Sequence, residues 1–177
     1  MKVYLVPQEY ITPIYSDIEK YIDKLTPTTH GRFDKIDILN DLLTGRETLW
    51  TIVDEKDDNK IIGVIFTEIS HYPRKKMLSI QYAAGDRLDE WIDESLVTLE
   101  NWAVDNECTA MEITGRRGWV KKLKLHNWKE EFVVIKKEGL NKVNLKIIEP
   151  EKNYGKEKRR KQSASTGRVK DLSKQTA

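Results

Sequence analysis

Apolar and polar residues alternate at the start of the chain and then change to a helical period. Val3 and its apolar neighbours predict a short opening strand that Pro7 ends. Apolar residues spaced three and four apart predict a helix over 14–25 and a second, shorter helix over 36–43. Gly45 follows the second helix at the position where a glycine commonly ends one. The chain is therefore predicted to begin with one strand and two helices.

The pattern then changes to three β-prone segments and one long helix. Residues 48–53, 61–69 and 77–83 are rich in β-branched and aromatic side chains and are joined by short polar links, which predicts an antiparallel meander. Residues 86–106 carry apolar side chains along one helical face and acidic side chains along the other. Asp86 is expected to cap this helix, and the early acidic residues suit the positive end of its dipole.

Residues 110–137 contain the most informative pattern, because a strand, a turn, a short basic helix and a second strand follow one another there. Gly115 and Gly118 predict the turn. The compact apolar run 132–135 predicts the second strand, and 143–147 predicts an edge strand. The order β-α-α-β-β-β-α-β-α-β indicates an α/β (α+β) fold, a mixed and mostly antiparallel sheet flanked by helices.

Charge divides the chain into two parts near Pro150. Residues 151–177 contain nine basic and three acidic residues, about +6, so the rest of the chain carries about −4 of the total formal charge of +2. The segment 151–177 has too few large apolar side chains to offset an ordering entropy of roughly 1–2 kcal/mol per residue. We therefore expect a domain over 1–150 and a disordered basic tail over 151–177.

The basic tail is a candidate partner-binding segment. Its densest charge lies at Lys158, Arg159, Arg160 and Lys161. Such a run could bind nucleic acid by releasing counterions from phosphate, or it could bind an acidic protein surface. Tyr154 is its one aromatic residue, so base stacking is not expected. A solvated extension that promotes solubility is an equally weighted interpretation.

The remaining composition excludes several classes of protein. Cys108 is the single cysteine, so an internal disulfide is excluded and a reducing compartment is favoured. The three histidines lack metal-ligand spacing, and no nucleophile or phosphate-loop motif occurs. No apolar run reaches the length of a membrane span, and the opening residues MKVYLV are too short for a signal peptide. We expect a soluble protein of an intracellular setting, without a metal.

Arg116 and Arg117 stand where a predicted strand ends and the basic helix begins. Backbone N–H groups point outward at a helix start, and the two guanidinium groups add positive charge, so the pair is a candidate anion-binding site. A pair of solvated charges is the favoured interpretation of the two arginines, and the anion site is the alternative.

The order of elements over 1–138, with its closing residues, resembles the GNAT acyltransferase fold. Asn127-Trp128 is similar to the Gly-Phe pair that commonly ends the last helix of that family. The run that begins at Trp102 is similar, more narrowly, to small GNAT-like proteins of tailed bacteriophages. Their Ile-x-Gly-Arg-x-Gly-Trp turn is matched by Ile113, Gly115, Arg116, Gly118 and Trp119.

The resemblance implies where acetyl-CoA would bind. In the family the turn before the long helix holds the pyrophosphate, and the corresponding candidates here are Ala83, Ala84, Gly85 and Arg87. The family pattern Gln/Arg-x-x-Gly-x-Gly/Ala becomes QYAAGD at 81–86, in which Gly85 is the one matching glycine. Asp86 places negative charge where phosphates would lie, which Arg87 offsets in part. We therefore expect no cofactor, with acetyl-CoA as the alternative.

The resemblance also implies the catalytic groups. Many family members use a tyrosine five residues before the late aromatic as a general acid, and Leu123 stands at that position and donates no proton. Glu68, as a general base, and Tyr82 are the remaining candidates in the site region. Each is also explained by a structural role.

Three functions are compatible with these features. The preferred hypothesis is a non-catalytic GNAT-like bacteriophage protein that contacts other phage structural or assembly proteins. It would act in the host cytoplasm during assembly or in the virion. The second hypothesis is an acetyl-CoA-dependent N-acetyltransferase with a divergent cofactor site. The third is an accessory protein that binds nucleic acid through the basic tail.

Overall fold

The computed structural model describes residues 1–139. The chain divides into two units, Met1–Glu131 and Phe132–Ala177, and all the regular elements of the described residues lie in the first unit. Five strands form one sheet in the order β1 to β5; they are β1 (Lys2–Val6), β2 (Thr48–Asp54), β3 (Lys60–Tyr72), β4 (Lys75–Gly85) and β5 (Ala110–Ile113). Strands β1 to β4 are antiparallel neighbours, and β5 runs parallel to β4.

Within residues 1–139, four α-helices accompany the sheet; they are α1 (Tyr15–Leu25), α2 (Lys35–Leu43), α3 (Ile92–Asp105) and α4 (Arg117–Leu123). Short 3-10 segments occur at Gln8–Tyr10, Thr26–Thr29, Leu88–Glu90 and Lys124–His126. The predicted fold class is confirmed, and the predicted order of elements is found from β1 through α4.

Alternation along the strands distributes apolar side chains to the two faces of the sheet. Val64 and Phe66 of β3 pack with α1 and α2 on one face, whereas Ile65 packs with α3 on the other. The largest buried side chains of the first layer are Tyr21, Ile22, Leu42, Leu49 and Phe66. Those of the second layer are Trp50, Ile52, Leu78, Trp91 and Leu99. Both faces of the central strands are therefore buried.

Local signals explain the limits of α2. The side chain of Asp34 accepts hydrogen bonds from the backbone N–H groups of Ile36 and Asp37, and the side chain of Asp37 accepts one from the N–H of Asp34. This reciprocal pair satisfies donors that the first helical turn leaves free. Gly45 follows the helix with a φ of +73°, a conformation that glycine adopts without steric cost, so its predicted role at the helix end is confirmed.

The start of α3 differs from the prediction. The α-helix begins at Ile92, after a 3-10 turn, and Trp91 occupies the cap position without a side-chain cap. Asp86 does not cap the helix, because its carboxylate lies 3.0 Å from the ammonium of Lys24. The indole N–H of Trp91 donates to the backbone oxygen of Asp86 at 2.8 Å. A buried indole, rather than an acidic cap, therefore joins the end of β4 to α3.

The predicted strand over 132–135 is not found, because residues 129–139 have no regular secondary structure. Phe132, Val133, Val134 and Ile135 are between 59% and 92% exposed. High β propensity does not form a strand without a paired backbone, and no ladder is formed by these residues. The predicted edge strand over 143–147, the domain limit at 150 and the basic tail of 151–177 lie outside the described residues.

Candidate functional site

Strands β4 and β5 pair over a short length and then diverge. Their pairing begins at Met77 with Ala110 and ends at Ile80 with Ile113. Phe66 of β3 is opposite Tyr82, whereas the next residue of β3 is opposite Ile80, so β4 carries one extra residue at this point. Among residues 1–139, the last residues of β4 therefore have no strand partner on the β5 side. This divergence lies next to the start of α3.

Apolar side chains fill the space beside the divergence. The tryptophan slot, as we name it, is formed by Ala83, Trp91, Ile113, Trp119 and Leu123. Trp91 is 1% exposed and Leu123 is 3% exposed. The cavity left among them has a volume of about 10 Å³, whereas one water molecule needs about 10–15 Å³. The slot is therefore a packed region of the core.

The candidate cofactor residues of β4 belong to this packing. Ala83 contacts the α3 side of the sheet, and Ala84 contacts the α1 side. A Cβ atom at Gly85 would lie 2.9 Å from the Cα of Gly63 and 2.9 Å from the ring of Trp91. Real Cβ atoms do not approach other atoms so closely, so Gly85 is required for the contact between β3, β4 and Trp91.

The turn after β4 is closed by bonds within the chain. The backbone N–H of Asp86 donates to the oxygen of Ile62 at 2.9 Å. Arg87 has a φ of +53°, and its guanidinium lies 2.5 Å from the carboxylate of Asp54 and 3.4 Å from that of Glu90. The hydrogen bond from Arg87 holds the pKa of Asp54 below its usual value. The charge predicted to offset phosphate repulsion is therefore engaged in the chain itself.

Two ion pairs join α4 and the 3-10 turn after it to the start of α3 and the 3-10 turn before it. Lys122 pairs with Asp89, and the imidazole of His126 lies 3.3 Å from the carboxylate of Asp93. The aspartates of both pairs are largely exposed, so each pair contributes little stability by itself. They nevertheless bring the acidic start of α3 against the basic helix that covers the tryptophan slot.

The catalytic candidates Glu68 and Tyr82 lie on the face of the sheet that α1 and α2 cover. Tyr82 makes edge-to-face contacts with Phe33 and Phe66, at centroid distances of 6.1 and 6.0 Å. Burial raises the pKa of its phenol. Glu68 accepts a hydrogen bond of 3.3 Å from Gln81. Tyr82 is thus an aromatic core residue, and Glu68 is a half-buried carboxylate with a polar neighbour.

A second carboxyl group, that of Glu47, lies near Glu68 and was missed by the sequence analysis. It precedes β2 and is 6% exposed. Its Oε2 atom is buried and has no hydrogen-bond partner in the part of the chain that the structure describes. Burial, and then the charges of Asp41 and Glu68, raise the pKa of Glu47 to about 8. We name Asp41, Glu47 and Glu68 the acidic corner.

Comparison with known proteins finds similarity in structure but not in sequence. No protein-family model matches the chain, and no curated protein matches it in sequence. Solved structures do match it. A GNAT family acetyltransferase from Staphylococcus aureus has 15% identity and a TM-score of 0.55, covering 77% of this chain and 97% of the other. An aminoglycoside acetyltransferase from an uncultured soil metagenomic sample has 17% identity and a TM-score of 0.54, covering 79% and 96%.

A third structure, the ribosomal-protein-alanine N-acetyltransferase of Brucella melitensis, has 11% identity and a TM-score of 0.52, covering 76% of this chain and all of the other. The chain has the GNAT acetyltransferase fold. Identities this low support the fold and leave activity to be argued from the site.

The GNAT fold allows the remaining candidates to be placed. Leu123, at the position of the family's tyrosine, is buried in the tryptophan slot. Arg116 and Arg117 are exposed at the start of α4, as predicted, but α4 has seven residues and its dipole is correspondingly small. Lys158, Arg159, Arg160 and Lys161 lie outside the described residues.

Two features of the turn after β4 are unfavourable for the pyrophosphate of the GNAT cofactor. A pyrophosphate requires free backbone N–H groups and small residues in the turn after β4. Here the N–H of Asp86 is already bonded, and Gly85 is covered by Trp91.

Within residues 1–139 no cluster of His, Cys, Asp or Glu could hold a metal ion. Nor is any helix of those residues long and apolar enough to cross a membrane.

Proposed function

We propose that this chain is a non-catalytic protein with the GNAT fold that acts through protein contacts. The observation that carries the proposal is the tryptophan slot, where Trp91, Trp119 and Leu123 occupy the space between the diverging strands and leave about 10 Å³. A pantetheine chain is many times larger than that volume. The proposal therefore excludes acetyl-CoA binding in the folded state described.

We further propose that the contacts are made with other bacteriophage structural or assembly proteins, in the host cytoplasm during assembly or in the virion. Support comes from the turn Ile113-Thr114-Gly115-Arg116-Arg117-Gly118-Trp119, which resembles that of GNAT-like proteins of tailed bacteriophages. In the structure this turn has a packing function. The ring of Trp119 lies 2.8 Å from the position of a Cβ atom on Gly115, so the glycine makes room for the indole.

An acetyl-CoA-dependent N-acetyltransferase is the second candidate, and one observation favours it. Glu47 has a pKa of about 8, in the range suited to a general base near neutral pH. The solved structures described above are named as acetyltransferases, although that activity belongs to those proteins. For this candidate to hold, the tryptophan slot would have to open.

Titration with acetyl-CoA tests the first proposal against the second. Calorimetry and thermal unfolding are followed up to millimolar acetyl-CoA, with an active GNAT acetyltransferase as the positive control. A ligand at 100 times its Kd adds about 2.7 kcal/mol to the free energy of unfolding. We expect no heat of binding and no shift in Tm. A shift that Arg87→Ala abolishes would overturn the non-catalytic proposal.

The phage assignment has its own test. Peptides of this chain are sought by mass spectrometry in purified particles and in assembly intermediates of a phage that encodes it. We expect the chain in one of these fractions at a fixed ratio to a structural protein. Its absence from all of them would overturn the proposed role in assembly.

The third function, nucleic-acid binding through the basic tail, stays a prediction. Full-length chain and a variant ending at residue 150 are titrated with duplex DNA at 50 and 200 mM salt. The prediction requires binding that weakens steeply with salt and is lost with the tail. Salt-independent binding, or binding by the shortened variant, contradicts it.

A further inference from the structure

The acidic corner has an unusual charge balance for a half-buried region. It holds the three carboxyl groups of Asp41, Glu47 and Glu68, and among the described residues the basic side chain that reaches it is that of Arg46. The guanidinium of Arg46 lies 3.5 Å from Asp41 and 3.9 Å from Glu68, and its side chain is 59% exposed. Both separations are long for an ion pair of this type. Arg46 is therefore a loose and exposed counterion.

The backbone holds the corner in a defined shape. The N–H of Glu47 donates to the backbone oxygen of Asp41 at 3.0 Å, which closes the connection from α2 to β2. Gly45, with its φ of +73°, makes the tight turn of that connection. Glu68 is supplied by β3, two residues beyond Phe66 on the same face. Asp41 thus comes from α2, Glu68 from β3, and Glu47 from the connection between α2 and β2.

Glu47 is the group that this arrangement leaves unsatisfied. Its Oε2 atom has no hydrogen-bond partner among the described residues, although the residue is only 6% exposed. A buried polar atom without a partner lowers stability by about 1–3 kcal/mol. Because the exposed guanidinium of Arg46 already lies beside Asp41 and Glu68, a cation that takes its place would have the charge and the donors that these carboxyl groups and Glu47 can accept.

We propose that the acidic corner binds a cationic side chain, lysine or arginine, of a partner polypeptide. This inference rests on the proposed function, since it names the chemistry of the protein contact. On binding, Arg46 moves toward solvent, and the incoming cation contacts Glu47 together with Asp41 and Glu68. The partner is therefore expected to present a basic residue at the centre of its contact surface.

Proton balance follows from the surroundings of Glu47. At pH 7 the group is mostly protonated, because burial, Asp41 and Glu68 disfavour its charged form and Arg46 favours that form too weakly to prevail. The phenol of Tyr82, from β4, faces the same region and is neutral at this pH. Pairing with a cation requires the carboxylate, so binding breaks the O–H bond of Glu47 and delivers its proton to the buffer.

The test uses small probes on the full-length chain. Nα-acetyl-lysine amide, Nα-acetyl-arginine amide and the neutral Nα-acetyl-norleucine amide are titrated by calorimetry in two buffers of different ionisation enthalpy. We expect both cationic probes to bind in preference to the neutral one and to release nearly one proton at pH 7. Affinity should rise about tenfold per pH unit below pH 8 and level off above it.

Two variants with opposite effects separate binding from a structural role. Glu47→Gln should lower the affinity for the lysyl probe at least tenfold and abolish proton release. Arg46→Gln should raise the affinity, because it removes the competing cation. Glu100→Gln, which neutralises an exposed acid on α3, is the charge-matched control and should change neither quantity. Unchanged binding by Glu47→Gln, or binding without proton release, would overturn the inference.

Further outcomes distinguish this inference from the proposed function. Butylamine binding as tightly as the lysyl probe would identify a free amine as the ligand and overturn the assignment to a polypeptide. Acetylation of the lysyl probe when acetyl-CoA is added would overturn the non-catalytic proposal while leaving the cation site in place. Preference for the neutral probe, with no response to acetyl-CoA, would overturn the cation site alone.

Discussion

The tryptophan slot and the acidic corner lie on opposite faces of one sheet, and they differ in polarity and in how their buried groups are paired. The slot is apolar, and its bulky side chains leave about 10 Å³. The corner is charged, and it keeps a buried carboxyl atom without a partner among the described residues. The cavity of the slot is also lined by Ser95, whose buried hydroxyl oxygen has no partner among the described residues. The difference is that this hydroxyl is neutral, whereas the unpartnered atom of the corner belongs to a carboxyl group.

This difference teaches where to look for function in a GNAT fold of this kind. A packed apolar region stabilises the protein and gives no reason to expect a ligand. An unsatisfied buried carboxyl lowers stability, and such groups persist more often at functional sites than elsewhere. The comparison therefore directs attention away from the region at which the fold family would place the cofactor, and toward α2 and the start of β2.

The largest predicted effect tests the slot. Trp91→Ala should lower the free energy of unfolding by about 3–5 kcal/mol, because it removes a buried ring and the hydrogen bond to Asp86. Urea unfolding followed by circular dichroism measures it. Val97→Ala, at a position on α3 that is 58% exposed, is the control and should change the value by less than about 0.5 kcal/mol. A loss under about 1 kcal/mol for Trp91→Ala would mean that the slot is not a packed core.

The next effect tests the corner through pH. The pKa of Glu47 is about 8 in the folded state and near 4.5 when unfolded, so the unfolded chain binds fewer protons between these values. The contribution of Glu47 to the free energy of unfolding should therefore be largest below pH 4.5. It should fall as pH rises from 4.5 to 8, by up to roughly 1.4 kcal/mol per pH unit. Glu47→Gln should lose this slope and be the more stable protein at pH 8, measured by Tm across pH. An identical slope in both proteins would show that Glu47 is not buried as described; Glu100→Gln should retain the wild-type slope.

A smaller effect tests the close approach of β3 and β4. Gly85→Ala should lower the free energy of unfolding by about 1–3 kcal/mol, since its Cβ would overlap Gly63 and Trp91. Gly118→Ala is a matched control on α4, where nothing lies within 4 Å of the added atom. It should raise stability by up to about 1 kcal/mol. If both variants shift the urea midpoint in the same direction relative to the wild type, this account of the turn is contradicted.

The smallest effect concerns the ion pair that closes the turn after β4. The hydrogen bond from Arg87 lowers the pKa of Asp54, so the contribution of Asp54 is present above the unfolded pKa and is lost as pH falls. The free energy of unfolding of Asp54→Asn should therefore fall less steeply than that of the wild type as the pH is lowered. Asp57→Asn, which removes an exposed pair with Lys60, should retain the wild-type dependence. Equal acid-unfolding midpoints for wild type and Asp54→Asn would rule out the coupling.

Much of the fold could be predicted because local patterns decide it. The helical spacing of apolar residues, the alternation along β3 and the glycine after α2 each act within a few residues. The strand predicted over 132–135 shows the limit of such patterns, since propensity without a pairing partner does not make a strand. The helix predicted from Asp86 begins six residues later because Trp91 and Lys24 use the groups that a cap would need.

The candidate site could be predicted only in part. Gly85 was identified as the one glycine that matches the family's phosphate-binding turn and Leu123 as a departure from the family pattern, and the structure places both in packed surroundings. Glu47 carried no signal, because a single glutamate before a β-prone segment is ordinary in any sequence. The effect of the Asp41 and Glu68 charges on the pKa of Glu47 depends on distances between parts of the chain that are far apart in sequence. A linear pattern does not contain those distances.

By itself, the sequence determined the order of strands and helices and the two apolar faces of the sheet, because the period of side-chain burial is a local property. The tertiary structure alone decided that Trp91 and Trp119 meet in the space between β4 and β5, and that a buried Glu47 faces two other carboxylates. The physical reason is the same in both regions. Packing volume and electrostatic energy depend on atoms that are close in space and distant along the chain.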